Sequence, residues 1–284
     1  MENIQPSELI LNPDGSIYHL GLLPEDISDT IITVGDPKRV EMISRNFDSI
    51  DIKKVKREFI THTGNLNDKR ITVISTGIGT DNIDIVINEL DALVNIDLQS
   101  GHIKDDQSSL ELIRLGTSGG IRKDIKTDSV VISRYALGFD GLIHAYQHNI
   151  DQDLSSAFLD FCENRIELYT RPYSASASLD LDHDDWKEGI TLSCPGFYAP
   201  QYRSLRASSI TPDFLKQVQN FEFRSLHLSN MEMESSGLFG LANILGHRAT
   251  SVSAILANRI TGKFSSDPRK AVEKLIDQVL EKIA

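Results

Sequence analysis

Short apolar runs rich in β-branched residues alternate along this chain with segments of helical periodicity, and this alternation constrains the fold most. Residues 30–34 (Thr-Ile-Ile-Thr-Val) predict a buried strand, and a helix is expected from 37 to about 47. Residues 70–75 predict a second strand, and the apolar spacing over 83–93 indicates a helix behind it. Further strands are expected at 112–115, 129–132 and 248–256, with helices at 233–245 and 268–283. This order implies an α/β fold whose sheet is at least partly parallel.

The clearest single element lies at the C-terminal end. Asp267 can cap a helix whose first position is Pro268, and apolar residues then recur on one face. These are Ala271, Val272, Leu275, Ile276, Val279, Leu280 and Ile283. No Pro-, Gly- or Ser-rich linker divides the chain, so residues 1–284 are expected to form one domain. In α/β sheets ligands bind beyond the carboxyl ends of strands, so functional residues are expected in the loops there.

The chain is acidic, with 41 Asp and Glu against 29 Lys and Arg among 284 residues and a net charge of −12. A nucleic-acid polymer is therefore not an expected partner, because binding a polyanion requires a basic surface. A small anion is not excluded, since a few arginines can gather in one pocket of an acidic protein.

Neither a disulfide scaffold nor a membrane protein is indicated. The two cysteines, Cys162 and Cys194, form no CxxC pair. The first basic residue is Lys38, which is unlike a signal or transit peptide. No apolar run reaches the ~18 residues that a membrane span needs. The expected location is the cytoplasm, with no membrane partner.

Three segments approach general motifs without completing them. Residues 75–80 resemble a dinucleotide-binding turn, but Asn82 stands where its third glycine belongs, so a tight strand-to-helix turn is expected instead of an NAD site. Residues 116–120 satisfy G-x-S-x-G without the helix that a serine nucleophile requires. We expect an anion-binding loop there, with donors from Thr117 and Ser118. The acidic run 180–185 predicts a solvated turn, with a cation site as the alternative.

Two further segments combine a helix start with charged residues. Gly35-Asp36-Pro37-Lys38-Arg39 offers a helix N-terminus and an arginine, which suits phosphate or serves only as a turn and cap. Met231-Glu232-Met233-Glu234 places two carboxylates at a helix start. They either stabilise the helix dipole or accept hydrogen bonds from paired sugar hydroxyls.

Taken in order, 35–39, 77–79, 114–119 and 231–234 resemble the nucleoside phosphorylase superfamily, which includes purine nucleoside phosphorylases, uridine phosphorylases and related nucleosidases. The resemblance extends from Tyr18 to Arg259. It implies a single-domain α/β fold of that superfamily, with a mixed central sheet flanked by helices.

Two segments are similar to the uridine phosphorylase branch in particular. Residues 197–203 (Phe-Tyr-Ala-Pro-Gln-Tyr-Arg) match its F-Y-x-x-Q-x-R pattern, which implies that Gln201 and Arg203 read the pyrimidine. Hexameric purine enzymes usually carry Ser-Asp near the end of the last strand, where this chain has Asn258-Arg259. The resemblance therefore implies a pentosyltransferase that converts uridine and phosphate reversibly to uracil and ribose 1-phosphate, as in pyrimidine salvage.

The resemblance also implies a role for each matching position. Phosphate would be held by Gly35, Arg39, Arg114 and Thr117, with Arg57 from a neighbouring subunit. Ribose would contact Met233 and Glu234, with His19 from the neighbour. The base would meet Phe197, Gln201, Arg203 and Arg259. Catalysis would rest on Arg114, Arg203 and Glu234.

The chain departs from the family pattern at three places. Residues 80–82 (Thr-Asp-Asn) replace the common Gly-Pro-Ser, Ser118 stands where a second Thr is common, and Tyr202 is bulky between the two base readers.

The same resemblance implies a homo-oligomer, with a dimer as the minimal active unit and a hexamer as the larger assembly. Inorganic phosphate is the expected co-substrate, with no organic cofactor or structural metal; a monovalent cation such as K+ near Glu58 is left open. The alternatives are a purine nucleoside phosphorylase or a nucleosidase that uses water. A catalytically silent nucleoside-binding protein is the alternative of another class.

Overall fold

The structure is a computed structural model that describes residues 3–163 and 165–284. Its strands are β1 (Thr30–Val34), β2 (Ser49–Lys56), β3 (Phe59–Leu66), β4 (Lys69–Ser75), β5 (Ile96–Asp97), β6 (His102–Ile103), β7 (Glu111–Gly120), β8 (Val130–Gly138), β9 (Tyr173–Ser176), β10 (Trp186–Ser193), β11 (Glu222–Phe223), β12 (Leu226–Glu232), β13 (Arg248–Asn258) and β14 (Lys263–Phe264). Its helices are α1 (Pro37–Ser44), α2 (Thr80–Asn95), α3 (Asp153–Cys162), α4 (Phe214–Gln217), α5 (Ser235–Leu245) and α6 (Pro268–Ile283). Short 3-10 turns lie at Pro24–Asp26, Leu142–Ala145 and Ala199–Gln201.

A mixed sheet organises the described part of the chain, in the order β11-β12-β10-β8-β13-β7-β1-β4-β3-β2. Strand β1 lies parallel to β4 and β7, and β13 lies parallel to β7. Strand β8 runs antiparallel to β13 and parallel to β10. The carboxyl ends of β1, β4, β7 and β13 therefore share one edge of the sheet, where a ligand site is expected.

One half of the sheet closes on itself. Strand β12 pairs with β10 on one side and with the end of β7 on the other, through Met231 opposite Gly119. Strands β7, β13, β8, β10 and β12 thus form a continuous ring of hydrogen-bonded neighbours. A closed ring leaves these five strands without a free edge over the paired segments.

Helices cover both faces of the sheet, and the central strands are buried on both sides. In β1, Ile31 packs with α2 and α5, whereas Ile32 packs with α1 and α6. A third apolar cluster joins α3 and α4 to β10 and β12. No helix in the described ranges combines the length and apolar character needed to cross a membrane.

The predicted elements agree well with the observed ones. The strand 30–34 is confirmed residue for residue, and the C-terminal helix begins at Pro268, with Asp267 accepting a hydrogen bond from Lys270 N at 3.0 Å. The first helix ends earlier than expected, at Ser44. The helix expected at 233–245 begins at Ser235, because 226–232 form β12.

The largest correction concerns residues 116–120, which were expected to curl into an anion-binding loop. They are the last five residues of β7. Thr117 and Ser118 pair with Ala254 and Ile255 of β13, and Gly120 lies opposite Asn230 of β12. Residues 116–120 therefore belong to the sheet: all five pair with β13, and Gly119 and Gly120 also pair with β12.

Candidate active site

A cavity of about 1270 Å³ opens at the carboxyl ends of β1, β4, β7, β12 and β13. The ten predicted site residues that a single chain was expected to supply all line this cavity. They are Gly35, Arg39, Arg114, Thr117, Phe197, Gln201, Arg203, Met233, Glu234 and Arg259. These residues come from five separate parts of the sequence, so the fold itself assembles the group.

One end of the cavity is cationic. Arg39 projects from the first turn of α1, where Asp36 caps the helix by accepting from Lys38 N at 2.9 Å. The Arg39 guanidinium donates to the carbonyl of Leu115 at 3.1 Å, which holds it beside β7. Burial lowers the pKa of Arg39, and the nearby Arg114 lowers it further. Two arginines held this close favour an anion between them.

Arg114 is buried, at 6% exposure, and carries two acidic partners. Its Nη2 pairs with Glu234 and lies 3.1 Å from Glu232 Oε2. Burial alone would lower the pKa of Arg114, but the two carboxylates more than offset it, so the pKa is raised and the guanidinium stays charged. Its Nη1 has no hydrogen-bond partner within residues 3–163 and 165–284. An unpaired buried cationic donor beside a cavity calls for an anionic ligand.

Gly116 lies beneath this guanidinium. A Cβ at position 116 would overlap Arg114 Nη1 and sit 2.8 Å from Ser253 Oγ. Only a residue without a side chain leaves room for Arg114 to fold back along its own strand.

Glu232 was not assigned a role from the sequence, although it was noted beside Glu234. It is 4% exposed and ends β12. Its carboxylate accepts from the backbone N–H groups of Glu234 and Ser235 at 3.0 Å and from the hydroxyl of Ser193 at 2.5 Å. It thus secures the start of α5 and one side of Arg114. The sign of this role in the sequence was that Glu232 lies two residues before Glu234.

Glu234 lies at the junction between β12 and α5. Its Oε1 accepts from Gly79 N at 2.8 Å, and its Oε2 accepts from Arg114. Gly79 has φ +95°, a conformation that favours glycine, so the predicted tight turn after β4 is confirmed and presents its N–H to the carboxylate. The turn also places Gly77 and Ile78 on the cavity wall.

The other end of the cavity carries Phe197, Gln201 and Arg203. The Arg203 guanidinium lies over the Phe197 ring, 3.9 Å from its centroid, and donates to Gln201 Oε1 at 2.6 Å. Burial and the nearby Arg259 lower the pKa of Arg203 to about 10, so it remains a cation at neutral pH. An aromatic face, an amide and a cation together suit a flat polar ring.

Arg259 and Asn258 end β13 with different roles. Arg259 Nη1 donates to the carbonyl of Gln201 at 3.1 Å. Asn258 is 3% exposed, and its side chain bonds to backbone groups of Arg122, Ile125, Ile260 and Thr261. Its amide is therefore committed to holding the loops and is not free to serve a ligand.

The remaining two predicted contacts, His19 and Arg57, lie outside this cavity. His19 Nδ1 is 2.7 Å from Glu89 Oε1, and Arg57 lies at the β2–β3 turn with φ +53°. Both adjoin Tyr18: its ring is 4.7 Å from that of His19 and 5.7 Å from the Arg57 guanidinium. The two residues therefore share one surface of the chain.

Glu58 lines the cavity, next to Arg57 in sequence. The acidic run at 180–185 is a surface turn, where Asp182 pairs with Arg134 and His183 stacks on Trp186. Neither there nor elsewhere in the described ranges do three or more His, Cys, Asp or Glu side chains group as metal ligands.

Comparison with known proteins agrees with this geometry. The family model described as "Phosphorylase superfamily" matches residues 29–284. A uridine phosphorylase of Thermococcus kodakarensis is 28% identical over 100% of this chain and 92% of its own length. A DeoD-type purine nucleoside phosphorylase of Exiguobacterium is 28% identical over 86% of this chain and 87% of its own.

Among solved structures, the Trypanosoma brucei nucleoside phosphorylase described as showing uridine phosphorylase activity superimposes with a TM-score of 0.85. It is 26% identical, with 96% of this chain and 98% of that one covered. The family match covers most of the chain and includes every strand that contributes to the cavity. This chain therefore belongs to the phosphorylase superfamily.

Proposed function

We propose that this chain catalyses the reversible phosphorolysis of uridine to uracil and ribose 1-phosphate. The single observation that carries the proposal is the arrangement of the cavity, in which an unpaired buried arginine faces one end and a Gln–Arg–Phe group faces the other. Glu234 pairs with Arg114 at the first end, and the second end adjoins it through Gln201, which donates to the carbonyl of Glu232 at 3.4 Å. The uridine phosphorylase of Thermococcus kodakarensis, matched along its length, supports this choice of reaction.

Phosphate binds at the cationic end. Arg114 Nη1 and Arg39 donate to its oxygens, while Thr117 adds a hydroxyl and Gly35 a helix-start backbone N–H. Glu232 and Glu234 keep Arg114 charged and fixed in direction. The anion thus meets donors that are already in place before it arrives, which lowers the cost of organising them during the reaction.

The nucleoside lies between phosphate and the base readers. Glu234, an acceptor-only carboxylate, takes hydrogen bonds from ribose hydroxyls, and Met233 packs against the sugar. As the bond from C1′ to the base lengthens, positive charge develops at C1′, and phosphate attacks that carbon from the opposite face. The base leaves with the bonding electron pair. No protein nucleophile is needed, because catalysis rests on positioning and electrostatics.

The departing uracil gains negative charge, which Arg203 stabilises. Gln201 provides an amide for the carbonyl and N3 edge of the pyrimidine, and Phe197 packs against the ring. Arg259 is the second cation at this end, close enough to Arg203 to lower its pKa. Two cations beside the base favour a leaving group that departs as an anion.

The complete site is shared between two copies of the chain. Arg57 and His19 lie together on one surface, outside the cavity of their own chain, and we propose that they reach the phosphate and the ribose of a neighbour. Val55 and Ile78 are 70% and 71% exposed near the same hairpin and cavity mouth, which supports a covering partner. A dimer is the minimal active unit, and a hexamer of three such dimers is the larger assembly. A monovalent cation at Glu58 stays a prediction.

A purine nucleoside phosphorylase is the second candidate, since a DeoD-type enzyme matches over 86% of the chain. The hydrogen bonding and the chemistry of the Asn258 side chain favour the pyrimidine reaction. Its side chain is fully bonded to loop backbone, and it is not an acid that could assist a purine ring nitrogen.

The test is a substrate panel of uridine, deoxyuridine, thymidine, inosine and adenosine, each with and without phosphate. We expect uridine turnover that requires phosphate and yields ribose 1-phosphate. Preference for inosine or adenosine supports the purine reaction instead, and ribose released without phosphate indicates a nucleosidase. Binding without turnover of any nucleoside indicates a silent binding protein and contradicts the proposal.

A further inference from the structure

Tyr202 lies between the two base readers in sequence but is absent from the cavity wall that they line. It is 4% exposed and buried in the apolar cluster that joins α3 and α4 to the sheet. Gln201 and Arg203 therefore point towards the cavity while the residue between them points into the core.

The backbone at Tyr202 makes this arrangement possible. The residue follows the 3-10 turn Ala199–Gln201 and has φ +59° and ψ +31°, in the left-handed region. In a continuing 3-10 helix, with about three residues per turn, residues two apart point in different directions. The left-handed step at Tyr202 reverses the chain, so Arg203 N donates to the carbonyl of Tyr198 at 2.9 Å.

A bulky residue rarely adopts this conformation unless its surroundings hold it there. The Tyr202 ring is stacked on Phe214, with centroids 3.7 Å apart and planes at 7°. Tyr169 adds a second aromatic contact at 6.0 Å, and its hydroxyl donates to the carbonyl of Pro200 at 3.1 Å. The turn is therefore anchored from the core side.

The phenol oxygen of Tyr202 has no part in this anchor. It is buried and has no hydrogen-bond partner within the two described ranges. The ring alone makes the contacts, so a phenylalanine at this position retains all of them.

We propose that Tyr202 is a positioning residue for base recognition: its ring, stacked on Phe214, holds the left-handed turn that directs Gln201 and Arg203 together into the cavity. This inference rests on the proposed function, because it assigns the base to these two residues. It concerns only the base end. Arg39 and Arg114, at the phosphate end, are carried by α1 and β7 and do not depend on this turn.

The test compares Tyr202→Leu with Tyr202→Phe and with a control elsewhere in the same cluster. Phe221 is 2% exposed and pairs with Phe158 and Phe161, so Phe221→Leu removes a buried ring of the same cluster without an aromatic contact to Tyr202. For each folded variant, the KM values for uridine and phosphate are measured, together with the Kd for uridine without phosphate and the Tm.

Tyr202→Leu is expected to raise the uridine KM and Kd about tenfold or more, because a small displacement of both readers weakens base contacts. Its phosphate KM should stay within about twofold of the unaltered enzyme. Tyr202→Phe should bind uridine as tightly as the unaltered enzyme does, and its Tm should be equal to or higher than that of the unaltered enzyme. Phe221→Leu should lower the Tm, and any change in the uridine KM should be matched by a similar change in the phosphate KM.

An unchanged uridine KM in Tyr202→Leu, or an equal rise in both KM values, overturns the inference. A large loss of uridine binding in Tyr202→Phe does so as well. If Tyr202→Leu does not fold, Tyr202→Met carries the same test, since methionine fills the space but cannot stack as a ring. Failure of the proposed function can be told apart from failure of this inference, because the unaltered enzyme would then show no phosphate-dependent uridine turnover.

Discussion

Arg114 and Glu234 are 120 residues apart in sequence and form a buried ion pair on the cavity wall. Arg114 Nη1 has no hydrogen-bond partner among the described residues and is proposed to bind phosphate, and Glu234 is proposed to hold the ribose. The same contact therefore joins the two subsites. A change at either residue is expected to affect binding of both substrates.

Replacing Arg114 by alanine should raise the phosphate KM by about a hundredfold or more, since it removes the only arginine with a free buried donor among the described residues. Phosphate-dependence curves measure this. Arg134→Ala is the matched control, because Arg134 pairs with Asp182 and Glu188 at the surface. A phosphate KM that is the same in Arg114→Ala and Arg134→Ala contradicts the assigned anion site.

Glu234→Gln keeps the shape of the side chain but removes its charge. The uridine KM should rise because the amide accepts ribose hydroxyl bonds less strongly, and the phosphate KM should rise several-fold because a neutral amide holds the Arg114 guanidinium less firmly in place. Initial rates over a grid of both substrates measure the two effects. A change in the uridine KM alone would show that the two subsites are independent.

Gly116→Ala places a methyl group where the Arg114 guanidinium lies. The arginine has to move, so the phosphate KM should rise about tenfold or more while the chain still folds. Gly119→Ala in the same strand is the comparison, since its Cβ meets only Arg259 Cγ at 3.6 Å and Ala257 O at 3.9 Å. Equal phosphate KM values for the two variants argue against the steric role of Gly116.

The shared site predicts that two inactive variants restore each other. In a hybrid of Arg57→Ala and Arg114→Ala subunits, one of the two sites has both arginines intact. Randomly paired subunits should therefore regain about a quarter of the unaltered activity. Co-expression followed by an activity assay measures this, with each variant alone as the control. No recovery in confirmed hybrids contradicts the borrowing of Arg57.

Alkaline pH should destabilise the fold. Burial raises the pKa of Cys162 to about 11 and that of Cys194 to about 12, from 9.0 in the unfolded chain. Above pH 9 the unfolded chain loses protons that the folded protein keeps, so the free energy of unfolding falls as pH rises from 9 towards 12. Below pH 9 this contribution is fully present.

Urea unfolding at pH 8 and pH 10.5 measures this loss, and Cys162→Ala should show a smaller difference between the two. A thiol reagent at pH 8 should label both cysteines only after unfolding, because they are 3% and 0% exposed. Rapid labelling of the folded protein contradicts this prediction.

The sequence predicted the elements whose apolar or capping pattern lies entirely within the element itself. The β-branched run 30–34 and the capped stripe of α6 carry their own periodicity, and both agree with the structure. The family resemblance went further and named ten residues that the fold brings around one cavity.

The rest depended on contacts that no local pattern contains. Residues 116–120 have the glycine content of a loop, yet partners on β13 and β12 make them a strand. Strand β2 was not predicted: Ile50 and Ile52 lie on its half-exposed face together with lysines, and Val55 lies on its exposed face, so no clean alternation of apolar and polar residues marks it. The role of Glu232 became visible only when Arg114 and α5 met it from distant parts of the chain.

The closed ring of β7, β13, β8, β10 and β12 carries some of the site residues but not others. Arg114 and Glu232 belong to ring strands that have neighbours on both sides, whereas the base readers lie on the connection between β10 and α4. Under the proposed function, the phosphate contact of Arg114 therefore lies on the rigid ring, whereas the residues proposed to choose the base lie on a connecting segment. Exchange of residues 195–213 would therefore change most of the base contacts together with Arg203, which stabilises the departing base, while the phosphate and ribose contacts outside this segment are retained.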